Sequence, residues 1–178
     1  KDVKNYPESS IAYFRFYWDV LEPEKDNYNF ALIDSLLAIA REKGQDLALR
    51  FMPMDTEPKA PKYFMDAGAG AWYTHKGRSG PRPQKQRKLY APHFNSDYFL
   101  QRQEALVRAF GERYDGHPDI DHIDIGSYGI WGEWHTLELP AMPPWEIQKK
   151  LIDVYLESYT ITPLLMNIDG VRGTEYSV

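Results

Sequence analysis

The sequence predicts an α/β protein built on a parallel sheet, and three observations carry that expectation. Short apolar runs of strand length alternate with amphipathic stretches of helical period. The first two strand-like runs are separated by a helix, so they need a crossover connection and must pair in parallel. The stretches "WDVLEPE", "RFMPMDTEP", "GIWGEWH" and "MNIDG" all fall just after the end of a strand-like run, where parallel α/β folds gather their sites. Period alone leaves two architectures open, a barrel and a doubly wound parallel sheet.

The first strand is expected at Ile11 to Val20 ("IAYFRFYWDV"), so dense in aromatic and apolar residues that it reads as buried on both faces, with Arg15 and Asp19 its only charges. After the polar connection "LEPEKDNYNF", Leu32, Ile33, Leu36, Leu37 and Ala40 share one face of a helix that Gly44 stops. "DLALRFMP" is the second strand. From Asp55 to about Ser96 the chain carries Gly, Pro and charge without clear period, and so long a loop usually has a function. Ser96 or Asp97 then caps a helix carrying Phe99, Leu106, Phe110 and Tyr114, which ends at Gly116 and Pro118. A third strand is expected from about Ile120 to Tyr128. Pro143 and Pro144 open a helix lined by Ile147, Leu151, Val154 and Tyr155, and "PLLMNID" reads as a fourth buried strand.

Composition narrows the function classes. With 43% hydrophobic and 26% charged residues the chain has ample core material, and a net charge of -5 argues against a general nucleic-acid binder. No apolar run has membrane-helix length, so no membrane partner is expected. There is no Cys, which removes disulfide and thiol chemistry. The chain opens at Lys1 without Met or an apolar leader, which fits a processed or trimmed product as well as an expressed fragment, and the location stays open, with secreted or periplasmic favoured. Aromatic content is 15%, and Trp and Tyr with polar tips serve as core volume or as platforms for sugar rings. Neither a P-loop nor a G-x-G-x-x-G occurs, so no nucleotide cofactor is expected, nor any other.

The stretch "DIGSYGIWGEWHTLEL" (124–139) holds the sharpest signal: an apolar strand runs into a Gly-rich turn that sets Glu133 between Trp131 and Trp134, with His135 beside it. A carboxyl among large aromatics is costly to ionise, which suits an acid that must keep its proton. Trp18, Trp72 and Trp145 are further candidate stacking platforms, and Arg50, Asn167 and Asp169 are candidate hydroxyl-binding groups at strand ends. Each also has a plain structural reading: core for Trp18 and Trp145, an ion pair for Arg50, a turn for Asp169. His117, Asp119, Asp121, His122 and Asp124 lack a two-histidine helical motif, and no metal is expected. Lys76, Arg78, Arg82, Lys85, Arg87 and Lys88 form an acid-free basic run, read as solvated loop or as a contact for sulfate or carboxylate groups of a polysaccharide.

"FYWDVLEPEKDNYNFALID" (16–34), "LRFMPMDTEPKAPKYF" (49–64) and "IDIGSYGIWGEWH" (123–135) together resemble, in order and spacing, the second to fourth strand ends of clan A retaining glycoside hydrolases, most of all the family 42 β-galactosidase-like group. The resemblance implies a (β/α)8 TIM barrel, here a partial one covering about strands two to five, as a single catalytic domain over residues 1–178. It makes Glu133 the general acid/base of a two-carboxylate cleavage of O-glycosidic bonds, and side-chain chemistry adds Trp18, Arg50, Trp131, Trp134, His135, Asn167 and Asp169 as substrate-binding candidates. A complete barrel needs about 250 residues. The clan's nucleophile, after the seventh strand, is therefore expected outside this chain, and the remaining barrel segments or another chain are expected to cover the sheet edges. The resemblance departs at Gly132, where the clan usually has an Asn that binds the sugar 2-hydroxyl. A non-catalytic carbohydrate-binding barrel is the alternative.

Overall fold

A computed structural model describes residues 8–55, 57–75, 87–136, 141–167 and 171–176. In chain order these form β1 (Ile11–Tyr17), α1 (Trp18–Leu21), α2 (Phe30–Glu42), β2 (Asp46–Met52), α3 (Lys62–Asp66), β3 (Gly70–His75), β4 (Arg87–Pro92), α4 (Asp97–Tyr114), β5 (Ile120–Asp124), α5 (Trp145–Ser158), β6 (Leu164–Leu165) and α6 (Val171–Tyr176). Strands β1, β2, β5 and β6 lie side by side in that order, all parallel. A doubly wound sheet reverses its strand order at a switch point. This sheet keeps chain order throughout, as one segment of a barrel does.

Local chemistry sets the element ends. The Asn29 side chain accepts from the Leu32 N–H at the start of α2, and the Ser96 hydroxyl does the same for Phe99 at the start of α4. Gly44 follows α2 at φ +64°, a left-handed position that glycine takes at least cost. Phe16, Leu49, Phe51 and Ile123 project from the strands into one apolar layer with Ile33 of α2, Phe110 of α4 and Tyr155 of α5. Alternation sends Tyr13, Arg15, Arg50 and Asp124 to the opposite, inner face. The β2–β5 register shifts between Leu47, paired with Ile120, and Ala48, paired with His122. Asp121 is the extra residue, and this bulge lets Ile120 and Ile123 both pair with core leucines while His122 and Asp124 face inward.

Several expectations need correction. The first strand is not buried on both faces: it pairs only with β2 among the described residues, it ends at Tyr17, and Ile11, Tyr13 and Phe14 are exposed. The stretch from Asp55 to Ser96 is not structureless. It contains α3 and an antiparallel hairpin of β3 and β4, in which Trp72 sits opposite Tyr90. Most of the basic run, residues 76–86, lies outside the described residues; Lys88 is exposed. The third strand stops at Asp124, although the Ile125 N–H still donates to Leu165, and the fourth is only two residues long, with Leu165 half-exposed at the sheet edge. No described helix is long and apolar enough to cross a membrane.

Two polar devices tie the layers together. Glu22, fully buried after α1, accepts from Trp18 Nε1 at 2.8 Å and the Asp26 N–H at 2.9 Å, and pairs with Arg102 of α4. At the opposite end of the sheet Asp115, the C-cap of α4, accepts from the N–H groups of Thr160, Ile161 and Thr162 and from the Thr160 hydroxyl, at 2.8–3.0 Å. Partial burial opposes ionisation of Asp115, but the backbone donors of Thr162, Thr160 and Ile161 outweigh it and hold the carboxyl down at about 2. An unfolded Asp titrates near about 3.9, so this stabilisation is fully present above that pH and is lost as pH falls through about 2. Asp115→Asn is therefore expected to lower stability at neutral pH and to flatten its acid dependence between about 4 and 2. Urea unfolding across that range checks both; an unchanged acid limb would show that the cap contributes nothing.

Candidate active site

The inner face carries a polar layer fixed by register. Arg15 of β1 lies opposite Arg50 of β2, and Arg50 lies opposite Asp124 of β5. Arg50 donates from Nε and Nη2 to Asp124 Oδ2, each at 2.7 Å, and Tyr13 donates to the same oxygen at 2.5 Å. The Arg50 guanidinium also sits 5.7 Å from the centre of the Tyr13 ring. Asp124 Oδ2 thereby takes contacts from both residues, and Arg50 is engaged in an ion pair through Nε and Nη2. Its remaining amino group, Nη1, points toward Glu133 at 3.5 Å.

The loop after β5 presents Glu133 through an unusual backbone. Gly129, Trp131, Gly132 and Trp134 all have positive φ, at +84°, +54°, +69° and +60°. A bulky residue in that region is an outlier that costs about 1–3 kcal/mol and survives only where its surroundings over-determine it. Here they do. Trp134 is fully buried, tilted against Tyr128, with its Nε1 donating to the Ile125 carbonyl at 2.6 Å. The Trp131 N–H donates to Met54 O at 3.0 Å, and its indole N–H donates to Asp55 Oδ1 at 2.8 Å. Ile130 N–H to His135 O and Trp134 N–H to Tyr128 O close the loop at its base. Gly132 is obligatory, because a Cβ there would stand 2.5 Å from Gly126 O and 2.8 Å from Phe51 O. The Asn that the clan usually carries at this position has no room in this loop.

The Glu133 carboxylate emerges about a quarter exposed, with Oε1 3.4 Å from Arg15 and 3.5 Å from Arg50, and Oε2 3.4 Å from His135 Nε2. The groups that meet it are two guanidiniums and an imidazole, not the two indole walls the sequence suggested: Trp134 faces the core and Trp131 turns its polar edge to Asp55. Trp18 is likewise fully buried, packed on Phe51, Phe64 and Phe99, and offers no face to a ligand. Trp145 lies against Tyr176 and under Arg172 at the start of α5. Trp72 is exposed on the hairpin. Asn167 is partly exposed beyond β6, and Asp169 lies outside the described residues. Among the described residues no group of three acidic or histidine side chains could hold a metal; His122 instead contacts Asp121 at 2.6 Å and Asp124 at 3.5 Å.

Two contributors, Arg15 and Tyr17, were not singled out as site residues from sequence, and the contacts of a third, Asp55, were not foreseen. Arg15 is a lone cation inside an aromatic strand, and pairing the strands so that Arg15, Arg50 and Asp124 align would have exposed it. Asp55, one residue beyond the Met54–Ile130 bridge, accepts from both Trp131 and Tyr17, a contact no local pattern announces.

The sequence profile of the glycoside hydrolase family 42 β-galactosidases matches residues 1–127, ending six residues before Glu133. No curated protein sequence matches the chain. Solved structures of similar fold include endo-glycoceramidase II from Rhodococcus sp. (13% identity, TM-score 0.57, covering 89% of this chain and 40% of that one). Two others are the cold-adapted β-galactosidase from Rahnella sp. R3 (11%, 0.55, 88% and 31%) and the β-galactosidase from the psychrophilic Marinomonas ef1 (15%, 0.52, 86% and 32%). At these identities the likeness is one of fold, and the fold is part of a (β/α)8 TIM barrel. The chain spans between about a third and two-fifths of the length of these structures.

Gly132→Ala is expected to destabilise the protein by about 1–3 kcal/mol, from the left-handed φ and the blocked Cβ together. Denaturant unfolding of the variant measures it, and a change below about 0.5 kcal/mol would mean the loop relaxes freely.

Proposed function

Because the chain belongs to glycoside hydrolase family 42, we propose that residues 1–178 form one part of the catalytic barrel of a retaining glycosidase and supply its general acid/base, Glu133. The observation that carries this is the placement of Glu133: a carboxylate on the inner face, at the C-terminal ends of parallel strands, where TIM-barrel enzymes keep their sites. In such a reaction Glu133 donates its proton to the departing glycosidic oxygen while a second carboxylate attacks the anomeric carbon. Glu22 is unsuited to that second role, since it is fully buried in its pair with Arg102. The attacking group is assigned to the rest of the barrel.

The neighbours of Glu133 suit the proton's departure. Once the proton leaves, the new carboxylate is met by Arg15, Arg50 and His135, whose contacts of 3.4–3.5 Å can tighten as charge develops. In the second half of the cycle the same carboxylate takes a proton from water. One observation favours the alternative reading, a sugar-binding barrel without catalysis: Gly132 leaves no side-chain amide to hold the 2-hydroxyl.

Glu133→Gln in the complete protein is expected to reduce turnover by at least about 100-fold on glycosides with poor leaving groups. Aryl glycosides with good leaving groups need little protonation and should lose much less, with substrate binding retained. Equal loss across leaving groups of different acidity would sink the acid role, and absence of turnover in the wild type would favour the binding barrel. The open edges at β1 and β6 are proposed to be covered by the remaining barrel or by another chain. Residues 1–178 alone are therefore expected to self-associate and to hydrolyse no glycoside. Sedimentation and an aryl glycoside panel test this, a stable active monomer being the contrary result.

A further inference from the structure

Trp131 stands two residues from Glu133 and is 37% exposed as a residue, yet its position is fixed more tightly than an exposed ring requires. Its backbone N–H is tied to Met54, just beyond the end of β2, its φ is +54°, and its indole N–H is held by Asp55. Asp55 is itself held. Its Oδ1 receives the indole at 2.8 Å, and its Oδ2 accepts from the Tyr17 hydroxyl at the end of β1. The chain Tyr17–Asp55–Trp131 thus joins the ends of two strands to the loop after a third, and its terminus is an aromatic ring two residues along the chain from the candidate acid. An immobilised, half-exposed ring can stack on the apolar face of a pyranose with little entropy left to lose.

We propose that Asp55 is a positioning residue for carbohydrate binding, acting through Trp131, whose ring forms the stacking face of the subsite next to Glu133. This rests on the reading of Glu133 as the sugar-processing site but not on its role as an acid, because a barrel that only binds sugar would use the same platform. Asp55 does not touch the sugar. Its effect is on where the ring lies, so its loss weakens binding and raises KM while kcat changes little.

The test is a double-mutant cycle in the complete protein, reading calorimetric binding of an aryl β-galactoside to the Glu133→Gln variant and KM and kcat in the active background. Trp131→Ala is expected to weaken binding about 3- to 10-fold, the range for a single aromatic contact. Asp55→Ala should cost a similar factor when Trp131 is present and nothing further when position 131 is Ala. Asp55→Asn, which keeps an acceptor for the indole N–H, should restore binding to within about 2-fold. Tyr17→Phe, a milder change to the same chain, should act in the same direction and also vanish in the Trp131→Ala background, so the cycle survives if Asp55→Ala folds poorly. Additive losses from Asp55 and Trp131 would overturn the proposal, as would full binding by Trp131→Ala. Neither outcome bears on the proton-donor role, which the leaving-group series decides separately.

Discussion

Arg50 is the side chain on which the inner face is assembled. It projects from β2, the strand flanked by β1 and β5, into a region where a guanidinium has little water and must be paired. It forks onto Asp124 of β5, lies over the ring of Tyr13 from β1, and reaches Glu133 in the loop beyond β5. Its stem also shapes the backbone: a Cβ on residue 126 would stand 2.7 Å from Arg50 Cγ and 2.2 Å from Phe51 O, so the chain leaves β5 through glycine. Three strands and the loop that carries Glu133 are coordinated by this one cation and the carboxylate it binds.

The positive character of that face distinguishes it from a hydrophobic acid pocket. The Glu133 carboxylate meets the Arg15 and Arg50 guanidiniums and the His135 imidazole, and no indole wall. Here the aromatic residues serve mechanics instead. Trp134 anchors the loop from inside and Trp131 from the rim, and with left-handed Gly132 between them they aim Glu133 at Arg15 and Arg50.

How much of this was legible in the sequence follows from the range of the interactions. Helices α2, α4 and α5 were readable because their period and caps are local: Asn29 and Ser96 bond residues three positions on. Parallel order was readable from the strand–helix–strand spacing. The exposure of β1 was not, because an aromatic strand reads as buried while its burial depends on neighbours on both sides, and among the described residues it has only β2. The β3–β4 hairpin was hidden by the Gly, Pro and charge between its strands. Glu133 was found because the Gly-rich turn around it is local, but the destinations of its flanking tryptophans were not, since both depend on the sign of φ at residues 131 and 134. Asp55, contacting residues 38 and 76 positions away, could be placed only by the fold.

The buried Glu22–Arg102 pair changes what the "LEPE" stretch can be used for. Its glutamate spends its oxygens on Trp18, the Asp26 backbone and a guanidinium 80 residues away, all within the layer between strand ends and helix α4. That acid therefore answers to folding rather than to any sugar. A barrel that had lost every catalytic group would still be under pressure to keep it, because an unpaired Arg102 in that layer would be costly. Sequences gathered by this fingerprint share an architecture, and whether they share a reaction has to be read further along the chain, at the loop that carries the carboxylate.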